Sequence, residues 1–390
     1  MSHVMNTYGR QALGFVRGEG AWLWDADGKR YLDGLAGIAV NGLGHAHPRL
    51  VKAIADQAAR LIHVSNIYQV PEQEALATRL TELSGMQNVF FCNSGAEANE
   101  AAIKVARLYG HQRGVQSPAV IVMERAWHGR TLGTLAATGS VKAAAGFGPV
   151  MPGFIRVPYN DLAAIQRVAA EHANVVAVLL EPVQGEGGIR VADIEYQQQL
   201  HALCRKQEWL YMVDEVQCGI GRTGTWFAFQ HTGVLPDVMS LAKGLGSGVP
   251  IGACVCAGVA ADVFKPGNHG TTFGGGPLVS VAALTTLDVM AEDRLLERAS
   301  VLGQRLRDGL AAGLAGVSGV VEIRGQGLMI GIELDRPCGV LVAQAIADGL
   351  LINVTQDSVV RLLPPLILSD AQADQIVAQL VPLIRSFLAA

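Results

Sequence analysis

Charge is scarce in this chain. Only 16% of its 390 residues are Asp, Glu, Lys or Arg, and the signs nearly cancel, 30 basic against 34 acidic. A net charge of −4 and a sequence pI near 6.2 give no basic surface for nucleic acid or an anionic membrane, so a small-molecule partner is expected. Cysteine is sparse too: Cys92, Cys204, Cys218, Cys254, Cys256 and Cys338 form no Cys-x-x-Cys pair. Cys254 and Cys256 are too close for an easy disulfide or zinc knuckle, and the six read as reduced, mostly core thiols. No apolar run reaches membrane-span length, and Met1 to Arg10 lacks a signal-peptide core, which predicts a soluble cytoplasmic protein. Repeats and low-complexity tracts are missing as well.

Apolar side chains are abundant. They make up 50% of the chain, and the mean hydropathy is +0.29. That length and composition predict about two domains, a large core and a homo-oligomer that hides further apolar surface. Short Val/Ile/Leu runs alternate with Gly-rich turns and Ala-rich helices, the pattern of an α/β fold whose mostly parallel sheet is covered on both faces. The expected strands are Asn88–Cys92, Ala119–Glu124, Val175–Leu180, Leu210–Val213, Val238–Leu241 and Ile251–Cys256. Ala21–Asp33 reads as a hairpin with an Asp27-Gly28 turn. After about Met290 come an amphipathic helix, the segment Val320–Leu334, a strand near Ile352–Val354 and a closing helix Asp370–Leu388. The expected division is therefore a large domain over 51–290 and a smaller α+β layer built from 1–50 and 291–390.

Chemistry-capable residues begin where those strands end: Asn93-Ser94-Gly95, Trp127-His128-Gly129-Arg130, Glu181-Pro182, Asp214 and Lys243. Ligands of open α/β sheets bind beyond the carboxyl ends of strands, so these residues are expected to share one crevice. Of seven lysines, Lys243 alone lies in an apolar and glycine context, Ser-Leu-Ala-Lys-Gly-Leu-Gly-Ser-Gly. Apolar neighbours destabilise an ammonium and make its amine a nucleophile, as a Schiff-base lysine requires. Alone, Lys243 could as well be a solvated junction lysine. Ser94, Gly95 and Ala96 open an Ala-rich helix, which suits either a phosphate or an ordinary capped helix start. Asp214 ends an apolar strand and needs a partner, a protonated ring nitrogen, a helix start or an arginine. With Lys243 beyond and Trp127 to stack on a flat ring, the set describes a pyridoxal phosphate (PLP) site, although core packing is the commoner fate of an aromatic. The histidines of Gly44-His45-Ala46-His47-Pro48 read as satisfying a turn, and no metal is expected.

Over nearly its whole length the chain resembles the class III, fold-type I aminotransferases. The resemblance is carried by Asn93–Glu100, Trp127–Thr131, Glu181–Gly188, Asp214–Gln217, Ser240–Gly244 and His269–Gly275. It implies a large domain with a mostly parallel seven-stranded sheet, PLP as cofactor and a homodimer with shared active sites. It implies Lys243 as the covalent lysine and proton shuttle, Asp214 on the ring nitrogen and Gln217 on the ring hydroxyl. Ser94, Gly95 and Ala96 would hold the phosphate, with Thr272 reaching in from the other subunit. Arg130, Glu186, Thr271 and Arg361 would bind substrate. Arg361 would take the α-carboxylate of glutamate, and Glu186 would mask it during the other half-reaction. Trp127 stands where the family usually has phenylalanine, and Gly276 where it commonly has asparagine. A small residue at Gly37, where ornithine-specific members carry tyrosine, favours an acylated donor: N-acetylornithine first, with N-succinylornithine, N-succinyl-diaminopimelate, ornithine and 4-aminobutyrate as alternatives. A racemase or decarboxylase on the same cofactor would not need Glu186 to gate Arg361, and a non-enzymatic binding protein would leave Asp214 and Lys243 without a shared purpose.

Overall fold

Seven strands form the central sheet of the computed structural model, which describes residues 3–390; Met1 and Ser2, the start of the expected 1–50 segment, lie outside the described residues. In spatial order the strands are Asn88–Cys92, Gly252–Cys256, Val238–Leu241, Leu210–Asp214, Val175–Leu180, Ala119–Met123 and Phe154–Val157. Only Gly252–Cys256 runs antiparallel to its neighbours. All six expected strands end within one residue of their predicted limits at both ends, and Asn88–Cys92, Val175–Leu180 and Val238–Leu241 match at both. Ala119–Glu124 stops at Met123, Leu210–Val213 runs on to Asp214, and Ile251–Cys256 begins at Gly252.

Phe154–Val157 had not been expected as a strand. It is four residues long and interrupted by a charge, Arg156, whose guanidinium donates to the carbonyls of Ala136 and Thr138 at 2.5 and 2.8 Å. Those two carbonyls lie at the end of the short helix Leu132–Ala137, so the charge caps a helix and the segment stays in the sheet.

Although the central strands are buried throughout, their side chains still alternate between two cores. Ile121, Met123, Val178, Leu180, Tyr211 and Val213 enter the larger cluster, whereas Val120, Val122, Leu179, Leu210 and Met212 enter a second one with the helix Gly95–Gln112. Burial on both faces explains why these strands read as continuous apolar runs.

Two smaller sheets join the chain's ends. Phe15–Glu19, Trp22–Asp25 and Arg30–Asp33 pair antiparallel, and Leu350–Leu351 adds to the third in parallel. The turn at Gly28 has φ 82°, and Asp25 accepts the amides of Asp27 and Lys29. Val320–Gln326 and Met329–Leu334 form a hairpin, and Val359–Leu362, carrying Arg361, pairs with its second strand and with Asn353–Thr355. Helices Leu295–Gly313 and Asp370–Ala389 cover this layer.

The helix Leu295–Gly313 passes so close to the hairpin turn that a Cβ on Gly303 would lie 2.0 Å from the Gly327 carbonyl oxygen. Backbone cannot yield as a side-chain tip can. Gly303→Ala is expected to destabilise the fold by about 1–3 kcal/mol, read as a lowered melting temperature; an unchanged melt would show that helix and turn are not in fixed contact.

Candidate active site

A cavity of about 480 Å³ opens at the carboxyl ends of the parallel strands. Ser94, Gly95, Ala96, Trp127, Arg130, Asp214, Gln217 and Lys243 all line it, brought together from four separate segments as the strand ends predicted. Pro250 and Ile251 join them because the antiparallel strand starts at this edge.

Lys243 follows the strand Val238–Leu241 in a short 3-10 turn and has φ 46°, a conformation unfavourable for a side-chain-bearing residue. Among the described residues its amine has no hydrogen-bond or ion-pair partner. Burial lowers its pKa below the ordinary 10.5; Glu186 pulls the other way and Arg361 adds to the lowering. Desolvation therefore favours the neutral, nucleophilic amine.

Asp214 is 3% exposed and is held by three donors. Asn99 Nδ2 lies 2.7 Å from Oδ2 and His128 Nδ1 2.8 Å from the same oxygen, while the Val216 amide donates to Oδ1 at 3.0 Å. The partners are thus a histidine and an amide, rather than an arginine or a helix start. Both lie inside motifs already singled out, but their spacing, 29 residues from Asn99 to His128 and 86 from His128 to Asp214, carried no signal of mutual contact.

The helix Gly95–Gln112 begins at the cavity with Ser94 as its cap, the Ser94 hydroxyl accepting the Glu97 amide at 3.2 Å. Among the described residues the Gly95 and Ala96 amides have no acceptor, so the cap and the anion site coexist. A Cβ on Gly95 would lie 2.6 Å from Val216, another lining residue.

Trp127 lies along the wall with the Arg130 guanidinium 4.8 Å from its ring centroid. Its backbone amide donates to Glu181 Oε1 at 2.8 Å, and the other Glu181 oxygen accepts the Gly185 amide. Burial, then the nearby Asp214 charge, raises the Glu181 pKa well above the ordinary carboxylate range.

Glu186 and Arg361 sit one residue behind the lining, through Gln217. Arg361, 1% exposed, donates from Nη1 to Glu186 Oε1 at 2.6 Å and to Gln217 Oε1 at 3.3 Å. Asn353 Oδ1 accepts from Nε and Nη2 at 3.0 and 2.8 Å and fixes the guanidinium plane. Burial pushes the Glu186 carboxyl up, but Arg361 outweighs it and the net pKa is lowered below 4.5. The pair is accordingly complete above that pH and is lost only as the pH falls through the lowered value.

Thr271 and Thr272 lie outside the lining of this chain's cavity. Thr271 Oγ1 accepts from Asn93 Nδ2 and the Gly274 amide, and Thr272 is exposed. The loop that lacks an asparagine at Gly276 is held from elsewhere, by Asn66 and Gln73, which donate to the carbonyls of Thr271, Gly274 and Gly275. Gly37 does not line the cavity either; its neighbour Val40 does. His45 pairs with Asp33. All six cysteines are buried free thiols.

The family model for aminotransferase class-III matches residues 5–384. The chain belongs to the class III aminotransferases. It is 60% identical to acetylornithine aminotransferase 1 of Bordetella bronchiseptica and 57% identical to the acetylornithine aminotransferase of Nitrosomonas europaea, each alignment covering 100% of this chain and 99% of the relative. Among solved structures, ornithine aminotransferase of Toxoplasma gondii superposes with a TM-score of 0.95 at 34% identity, covering 99% of this chain and 93% of that one. The acetylornithine aminotransferase of Elizabethkingia anophelis gives 0.88 at 35%, covering 99% and 97%. The fold is the fold-type I architecture, and the protein is a PLP-dependent transaminase acting on small molecules. The residues present suit that cofactor: two unpaired helix-start amides for a phosphate, an oriented buried carboxylate, an aromatic wall and an unpaired lysine of lowered pKa.

Because burial lowers the Lys243 pKa, the cofactor-free protein should capture PLP with a pH midpoint below lysine's ordinary 10.5. Capture rates measured from pH 6 to 11 check this, and a midpoint at or above the ordinary value would contradict the burial argument. Lys243→Ala should bind PLP only non-covalently, so borohydride would fix no label.

Proposed function

We propose that this aminotransferase moves the δ-amino group of N2-acetyl-L-ornithine to 2-oxoglutarate, giving N-acetyl-L-glutamate 5-semialdehyde and L-glutamate, a step of arginine biosynthesis. The observation that carries the reading is the Glu186–Arg361 pair. A two-substrate transaminase of this kind must accept both an ω-amine donor with no α-carboxylate at that subsite and glutamate, which brings one. A guanidinium masked by a carboxylate meets both needs. The names of the relatives support N-acetylornithine as the donor.

In this reading PLP supplies an aldehyde to take up the amine and a protonated ring to hold electrons. Lys243 Nζ would hold the cofactor and, once displaced from it by the donor, would serve as the base that carries the proton. Asp214, oriented by His128 and Asn99, keeps the ring nitrogen protonated, and Gln217 donates to the ring hydroxyl. Ser94, Gly95 and Ala96 bind the phosphate, and Trp127 confines the ring by stacking. Arg130 takes the donor's carboxylate, its plane already oriented by Trp127. Thr271, outside the lining of this chain's own cavity, is kept as a proposed substrate residue on the loop it shares with Thr272.

We further propose a homodimer in which Thr272 serves the partner's phosphate site. Leu61, Ile62, Ile67, Tyr68 and Phe273 are all large apolar residues left exposed near that loop, and His63 contacts the Phe273 ring at 5.3 Å. The division into 51–290 and a layer from 1–50 plus 291–390 is kept as a proposal, as is a cytoplasmic location; among the described residues no helix is long and apolar enough to cross a membrane.

The test is the visible spectrum of the PLP-bound enzyme on adding N-acetylornithine, N-succinylornithine, ornithine or 4-aminobutyrate without a keto acid. N-Acetylornithine should bleach the band fastest. Faster bleaching by another amine would reassign the donor while leaving the transaminase chemistry intact.

A further inference from the structure

Four consecutive residues, Ala36, Gly37, Ile38 and Ala39, have φ of 49°, 64°, 66° and 61°. Three of them carry a Cβ, for which the left-handed region is disfavoured, so such a run persists only where its surroundings over-determine it. The anchor at its start is Asp33, 2% exposed. Asp33 Oδ1 accepts the Leu35 and Ala36 amides at 2.9 and 2.8 Å, and Oδ2 lies 2.8 Å from His45 Nε2. Beyond the turn, the Leu43 amide donates to Ser247 Oγ at 3.0 Å, tying the segment to the turn that presents Lys243.

The left-handed turn is a footing for the gate. Leu35, Ile38 and Ala39 pack in a small cluster, separate from the two large cores, with Val183, Ile189, Val191, Met329 and Leu363. Val183 and Val191 are paired residues of the two-stranded ribbon whose loop carries Glu186, and Leu363 lies two residues beyond Arg361. Val40, next after the turn, lines the cavity. Both members of the gating pair and one wall of the donor site thus rest on backbone whose conformation a single buried carboxylate secures.

We propose that Asp33 is a positioning residue for substrate discrimination: by holding the left-handed turn it sets the ribbon that places Glu186 over Arg361. The inference rests on reading Glu186 as the gate. Without the two amide bonds the turn relaxes to right-handed or extended backbone, Ile38 and Ala39 leave the cluster, and the ribbon is no longer held against Arg361. Arg361 is then unmasked more often, which favours glutamate over N-acetylornithine.

The experiment measures half-saturation for each half-reaction separately, glutamate and N-acetylornithine with the PLP-bound enzyme, in wild type, Asp33→Ala, Asp33→Asn, Ile38→Ala and Glu186→Ala, with a melting curve for each. Asp33→Ala should shift the ratio of the two constants towards glutamate by about fivefold, in the same direction as Glu186→Ala and less far. Asp33→Asn, whose amide oxygen can accept the same two N–H groups, should stay close to wild type. Ile38→Ala keeps the anchor, removes the packing and should shift the ratio in the same direction, which keeps the inference testable if Asp33→Ala does not fold. A lower melting temperature with an unchanged ratio in Asp33→Ala and Ile38→Ala would overturn the inference and leave Asp33 a structural residue. No shift in Glu186→Ala would remove the gate itself, a different failure.

Discussion

A guanidinium cut off from water needs its charge answered by acceptors, and at this site the charged acceptor is a carboxylate. Arg361 is 1% exposed, and among the described residues its only carboxylate partner is Glu186. Stripping a buried charge of its partner costs several kcal/mol, so on the proposed reading the departure of Glu186 is favoured when another carboxylate takes its place. That constraint turns an ion pair into a selector. On the proposed reading glutamate would bring a carboxylate that displaces Glu186, while a donor without one at that subsite would leave the pair closed. The rest of the arrangement suits such an exchange. Asn353 fixes the guanidinium on the side away from Glu186, and Thr355 and Gln356 hold the Glu186 backbone carbonyl at 2.6 and 2.8 Å. Backbone is anchored on both sides of the gap, and the Glu186 side chain, 30% exposed, keeps room to swing.

The opposite end of the cavity follows another rule, fixed orientation. Three donors, two on Oδ2 and one on Oδ1, hold the Asp214 carboxylate in one orientation, which would keep its charge aimed at the ring of a bound cofactor. Lys243 is left without a partner in a site that disfavours its charge. Between a pinned acid and an unpinned amine, proton movement falls to the lysine on the proposed reading. Glu181 joins the two halves, since one of its oxygens takes the Trp127 amide and the other that of Gly185, in the loop that carries Glu186.

Much of this was legible in the sequence. The parallel strands announced themselves as continuous apolar runs, and their ends delivered Ser94, Trp127, Asp214 and Lys243 to one crevice because strand direction fixes which edge each end reaches. Arg361 and Glu186 came from the family resemblance, and their contact at 2.6 Å is what that resemblance implied. What could not be read were contacts between motifs: nothing in local spacing says that His128 and Asn99 share one oxygen of Asp214. Phe154–Val157 was hidden by Arg156, whose charge serves a helix end in a neighbouring segment. The turn at Ala36–Ala39 was hidden more completely. Leu-Ala-Gly-Ile-Ala-Val reads as an apolar run, and its left-handed backbone is met by contacts no local pattern shows, the two amides on Asp33 and the packing on the ribbon that carries Glu186. Thr271 and Thr272 lie outside this chain's cavity lining, and the role proposed for Thr272 belongs to the second subunit of the proposed homodimer.

The central claim, that Glu186 and Arg361 act on glutamate as a unit, is tested most directly by a double-mutant cycle on glutamate half-saturation, using Glu186→Ala, Arg361→Ala and the double variant. The account predicts strong coupling: removing Glu186 tightens glutamate binding when Arg361 is present and changes nothing when it is absent. Equal effects of Glu186→Ala in both backgrounds would show that Glu186 acts on the substrate independently of the arginine, and would contradict the exchange of carboxylates on which the account depends.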